Sequence, residues 1–139
     1  MTFHKSIGSV NRLLESVTDV VWRRTETFRF IEFSYFGQRY RLCSTGDLYK
    51  LSIASQASPV AKVLEKSKRM PYVTVHFSDN SSYYPKYRTK VPLKGLIWSV
   101  FGTGDVPKSH HIAHRNANPM NCDINNLEVL PNGVSQKGS

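Results

Sequence analysis

FRFIEFSYF over residues 28–36, RYRLCS over 39–44 and DLYKLSI over 47–53 make up the stretch whose reading decides the fold. Aromatic and branched residues recur at every second position, and Phe36-Gly37-Gln38 and Thr45-Gly46-Asp47 supply turns between the runs. Tyr40 and Leu42 alternate with Arg39 and Arg41, so one row faces inward and a basic row faces outward. That is the pattern of a half-buried antiparallel meander. Outward from it, Ser6 to Val17 reads as a short amphipathic helix carrying Val10, Leu13, Leu14 and Val17. On the other side, Ser58 to Arg69 predicts a helix with Pro59 in its first turn and Val60, Val63 and Leu64 as its apolar stripe. Tyr72 to Phe77 and Ser82 to Arg88 predict a hairpin around Asp79-Asn80, in which His76 is a packing or solvent-facing residue. Leu93 to Phe101 predicts an apolar helix stopped by Gly102 and Gly104. Antiparallel strands with a few short helices define an α+β class.

The chain has 139 residues, 40% hydrophobic and 12% aromatic, enough for one domain or one domain with a small appendage. This composition argues against a disordered basic arm. No apolar run reaches the roughly 18 residues of a bilayer crossing, and MTFHKSIGSV shows no apolar core of a secretory signal. Cys43 and Cys122 are too few and too far apart for a disulfide framework or a thiolate zinc site, and a reducing cytoplasm is expected. Charge narrows the partner. Nineteen Lys and Arg against ten Asp and Glu leave +9, and +6 of it lies in residues 51–100. There Tyr83-Tyr84-Pro85-Lys86-Tyr87-Arg88 interleaves rings with cations, a pattern that neutralises phosphates and offers stacking surface.

Chemistry concentrates between Ser109 and Leu130, which holds three of the five His, namely His110, His111 and His114, beside Asn116, Asn118, Asn121, Asn125 and Asn126. Two readings arise, a metal site and a general base held by amide hydrogen bonds. Zinc is disfavoured. Neighbouring His110 and His111 point to opposite faces of a strand, and neither a Cys pair nor His-Glu-x-x-His completes four ligands. In the second reading a His ends a short strand, an Asn-rich loop follows, and Asn-Leu opens the return strand.

From His114 to Glu128 the sequence resembles the HNH (His-Me finger) endonucleases of phage and homing type, whose pattern is His-x-x-x-Asn-Pro-x-Asp-Asn-x-x-x-Asn-Leu. The base His of the family falls on His114 and its structural Asn on Asn126, without a gap. Leu96 to Pro107 is similar to the helix and linker that precede such motifs. Tyr40 to Tyr49 is similar to the Tyr-x-x-Ser-x-x-Gly element of a small DNA-binding region found upstream. The departures are Ala113 where the family has a metal-binding Asp, Lys94-Gly95 where it has His or Arg, and Pro131-Asn132-Gly133 where a ligand-bearing helix begins, with Ser135 or Gln136 at the ligand's place.

The resemblance implies a ββα-metal-like hairpin with a truncated final helix. It divides the chain into a basic DNA-binding region at 1–90, the HNH motif at 91–131 and a flexible tail at 132–139. It implies hydrolysis of double-stranded DNA with Mg²⁺ or Mn²⁺, in the cytoplasm of a host if phage-encoded, and no membrane partner. His114 is the base, with His111 as base in an alternative register, and Asn126 orients the loop. His110 and Asn126 are the candidate metal ligands. Arg115, Lys108, Lys86, Arg88, Lys90, Lys94, Arg39 and Arg41 are the candidate DNA contacts. The alternative is a degenerate HNH scaffold that binds DNA and blocks or regulates another DNA-acting protein. A basic protein-interaction module is the third class.

Overall fold

A computed structural model describes residues 3–67, 70–81 and 83–133. Helix α1 (Gly8–Ser16) leads into strands β1 (Val17–Arg24), β2 (Arg29–Tyr35), β3 (Gln38–Cys43), β4 (Leu48–Leu51) and β5 (Ala57–Pro59), which pair in sequence order as one antiparallel sheet. Strands β6 (Val63–Glu65), β7 (Tyr72–Ser78) and β8 (Arg88–Pro92) form a second sheet. Helix α2 (Leu93–Phe101) then crosses to a two-stranded ladder of β9 (His110–His114) and β10 (Leu127–Pro131). The class is α+β with antiparallel sheets, and two α-helices occur among the described residues.

The meander forms as its alternation demands. Phe33, Tyr40 and Leu42 are at most 1% exposed, and Phe33 pairs across the ladder with Tyr40. Tyr40 also joins the two sheets. Its ring meets Phe77 of β7 edge-on, and its hydroxyl donates to Ser78 O at 3.0 Å and accepts from Ser78 N at 2.9 Å. One continuous apolar cluster runs from Val10 of α1 through Phe77 and Leu96 to Ile112 and Leu127 of the C-terminal hairpin. Gly95 lets α1 and α2 approach, since a Cβ there would stand 2.8 Å from Ile7 Cδ1.

Two expectations change. The helix read over 58–69 is instead β5 and β6, with Pro59 paired to Tyr49 and Leu64 to Val73. Val63 and Leu64 remain 41% and 45% exposed, and of the three apolar residues at helical spacing only Val60 packs against the core. Lys68 and Arg69 lie outside the described residues. The strand returning from β7 starts at Arg88, because the Asp79 carboxylate takes the backbone N–H groups of Ser81, Lys86 and Tyr87 and keeps this segment as a loop. Strand β1 lacks clean alternation and contains a register shift between Thr18 and Val21, with Asp19 at φ 53°. The tail beyond Gly133 and the place of the truncated final helix, Ser135 and Gln136 included, fall outside the described residues, whereas Asn132 N donates to Ser109 O.

Candidate active site

The β9–β10 ladder sets Leu127 opposite His114 and Pro131 opposite His110, so His114 sits where the hairpin opens into the Asn-rich loop. Side-chain amides build that loop. Asn126 Nδ2 donates to Asn116 Oδ1 at 2.9 Å and to Asn121 O at 2.8 Å, while Asn126 Oδ1 accepts from Asn116 N at 3.1 Å. Asn116 and Asn118 each accept an N–H two residues on, the Asx geometry that substitutes for regular backbone pairing. Asp123 caps the short 3₁₀ turn at Ile124–Asn126 through Asn125 N. Outside the hairpin, Ser44 O accepts from Ile124 N at 2.8 Å. Gly46, at φ 95°, lies so close that a Cβ would stand 2.8 Å from the Cys122 carbonyl carbon. The first meander thus clamps the loop.

His114 is 4% exposed. Its Nε2 lies 3.7 Å from Cys122 Sγ, and that sulfur donates to Pro119 O at 3.5 Å. The sulfur thus sits between the His114 ring nitrogen and the Pro119 carbonyl and packs against the imidazole. Burial, with the Lys94 ammonium nearby, holds His114 down to about 4, so it is neutral at pH 7. Burial also pushes the Cys122 thiol up to about 11 and lowers the Lys94 ammonium from its usual value. The thiol is therefore a packing and orienting group rather than a nucleophile.

The other expected residues separate. His110 faces Pro131, five residues along from Asn126, so at roughly 3.3 Å per residue the two lie roughly 16 Å apart and do not share one ion. His110 Nδ1 meets Lys108 O and His111 Nδ1 meets Asn132 Oδ1. Alternation along β9 turns His111 to the face opposite His114. Among the proposed DNA contacts, Lys94 is partly buried near His114. Arg41 pairs with Glu32 at 2.7 Å, Lys90 with Glu65 at 3.0 Å and Arg115 with Glu128 at 3.4 Å. Arg39 donates to Asp19 O and Ser34 Oγ. Lys86, Arg88 and Lys108 are exposed and form no ion pair among the described residues.

A neutral, oriented imidazole at the mouth of an amide-laced hairpin is the motif read from the sequence. Residues 96–134 match the family model described as HNH endonuclease. That match supports an HNH family for this segment. HNH endonuclease domains act on DNA. No curated protein and no solved structure matches the chain. Within the HNH segment Cys122 occupies the place of the second Asn of the pattern, which is why sequence reading passed over it as a site residue. Asn116 and Asn121 were visible as amides, but their pairing with Asn126 needed the loop's path. HNH nucleases generally use a divalent metal, and the residues described here do not fit one. Ala113 fills the carboxylate position and is fully buried, the Asn126 amide is spent on the loop, and the Lys94 ammonium stands close enough to perturb His114. No group of three His, Cys, Asp or Glu gathers among the described residues. No helix among the described residues is long and apolar enough to cross a bilayer.

Proposed function

We propose that the chain is a DNA endonuclease of the phage or homing kind, in which residues 1–90 grip double-stranded DNA and residues 91–131 hydrolyse a phosphodiester. The observation that carries this reading is the placement of a buried His114 at the end of β9, beside Cys122 and the loop that Asn126 braces. Its imidazole, neutral at pH 7, takes a proton from an attacking water. Asn126 holds the loop so that the imidazole keeps its aim, the positioning that general-base catalysis requires. Arg115 and Lys108 lie at the two ends of β9, where they supply positive charge to a phosphate backbone. His111, on the other face, is no base in this account.

Buried Ala113 and the nearby Lys94 favour a second reading, binding without cleavage on a degenerate HNH scaffold. A basicity lowered to about 4 also makes His114 a weak proton acceptor. The experiment that separates the two is a duplex gel shift across salt, run beside supercoiled-plasmid nicking in Mg²⁺, Mn²⁺ and EDTA. Salt-sensitive shifting with nicking supports the nuclease. The same shifting without nicking in any condition selects the binding protein, and no shift at all removes both.

A further inference from the structure

The HNH segment does not account for the loop between β7 and β8. Tyr83 and Tyr84 are each 89% exposed, adjacent in the chain, and followed by exposed Lys86 and Arg88. A single exposed ring needs no explanation. Two neighbouring rings on a loop held by buried polar groups do. Asp79 is 5% exposed, and its carboxylate accepts from Ser81 N, Lys86 N and Tyr87 N at 2.9 Å each. Asp79 N donates to Tyr87 O at 3.0 Å, closing the loop. These hydrogen bonds hold the carboxylate below its usual range. The loop is also fixed from the side, because Tyr87 stacks on Phe36 of the β2–β3 turn at 3.9 Å and 10°.

The two outer rings are therefore presented by an ordered frame, which reduces the entropy lost when something packs on them. The occupant follows from charge. Lys86, with its ammonium over the Tyr87 ring at 5.7 Å, and Arg88 flank the rings, while the one nearby carboxylate is spent on the backbone. Aromatic faces next to unpaired cations are the surface on which nucleic-acid bases stack while their phosphates are neutralised.

Resting on the DNA reading above, we propose that this loop is a second DNA contact, at which Tyr83 and Tyr84 stack on unpaired bases and Lys86 and Arg88 hold the adjoining phosphates. The test uses the full chain and fluorescence anisotropy with three labelled probes: a single strand, a duplex with a central unpaired bubble, and a fully paired duplex. The Tyr83→Ala/Tyr84→Ala variant should lose about tenfold or more in affinity for the single strand and the bubble, and less than about twofold for the paired duplex. Tyr83→Phe/Tyr84→Phe should stay within about twofold of wild type on every probe, since the stacking face is kept. Lys86→Ala should lower the salt slope by about one. Unchanged binding of the alanine variant to unpaired probes, an equal loss on all three probes, or a phenylalanine variant as weak as the alanine one would overturn the proposal. In those cases the chain still binds DNA and the reading of the HNH segment stands. Failure of wild type to bind any probe overturns both.

Discussion

Acidification should destabilise the fold through His114, by an amount that the buried pocket sets. In the unfolded chain the imidazole titrates near 6.5, and in the fold, burial first and the Lys94 charge second bring it to about 4. At about 1.4 kcal/mol for each tenfold change in acidity, the full contribution is about 3 kcal/mol. The sign follows from linkage. Above pH 6.5 both states hold a neutral imidazole and the stabilisation is fully present. As pH falls toward 4, the unfolded chain takes up a proton that the fold refuses, and stability declines until both states are protonated. Asp79 and Glu65, whose carboxyls are held below their ordinary values, add a decline at lower pH that is common to wild type and variant. Urea denaturation of wild type and His114→Asn at intervals from pH 7 to pH 4 therefore isolates the imidazole as a difference. Wild type should lose about 3 kcal/mol more than the variant across that window. A difference below about 1 kcal/mol, or an NMR titration of wild type that places His114 above 6, would refute the reasoning about the pocket.

Other substitutions test the parts around it. Lys94→Met removes the second cause of the depression and should raise the His114 titration point, followed by NMR, without returning it to 6.5 while burial persists. Gly46→Ala places a Cβ against the Cys122 backbone at a φ that side chains rarely adopt, and should cost on the order of 1–3 kcal/mol in thermal or urea denaturation. Asn126→Ala deletes three hydrogen bonds of the loop. At about 1 kcal/mol each it should lose roughly 3 kcal/mol of stability and speed amide hydrogen exchange at Asn116, whose N–H donates to Asn126 Oδ1.

The meander was legible because period-two alternation put Phe33, Tyr40 and Leu42 on one face, and α2 was legible because nine largely apolar residues run between Pro92 and Gly102. The false helix over 58–69 shows where such reading stops. Val60, Val63 and Leu64 have helical spacing, but short edge strands need little more than a neighbour with open backbone groups, and β4 and β7 provide them. The late start of β8 was hidden for a different reason. A single buried carboxylate, Asp79, captures three donors that a ladder would have used, and nothing in the residue pattern marks an Asp as buried. At the site, His114 and Asn126 were legible through their twelve-residue spacing. The pocket around His114 was not, because Lys94 comes from α2 and only folding turns it inward, where its positive charge sits beside a base. The same tertiary view explains why Arg39, Arg41 and Lys90, counted as DNA contacts by composition, already have partners, whereas Lys86 and Arg88 remain exposed.

The central claim is that His114, neutral and held by Cys122, is the base of a DNA-cleaving HNH segment. Its most direct test is the rate of supercoiled-plasmid nicking at pH 7 by wild type and by His114→Ala. Wild type should nick, and the variant should lose about 100-fold or more in rate, within the range a positioned general base contributes. Equal nicking by both proteins, or none by wild type under conditions where it shifts duplex DNA, would contradict it.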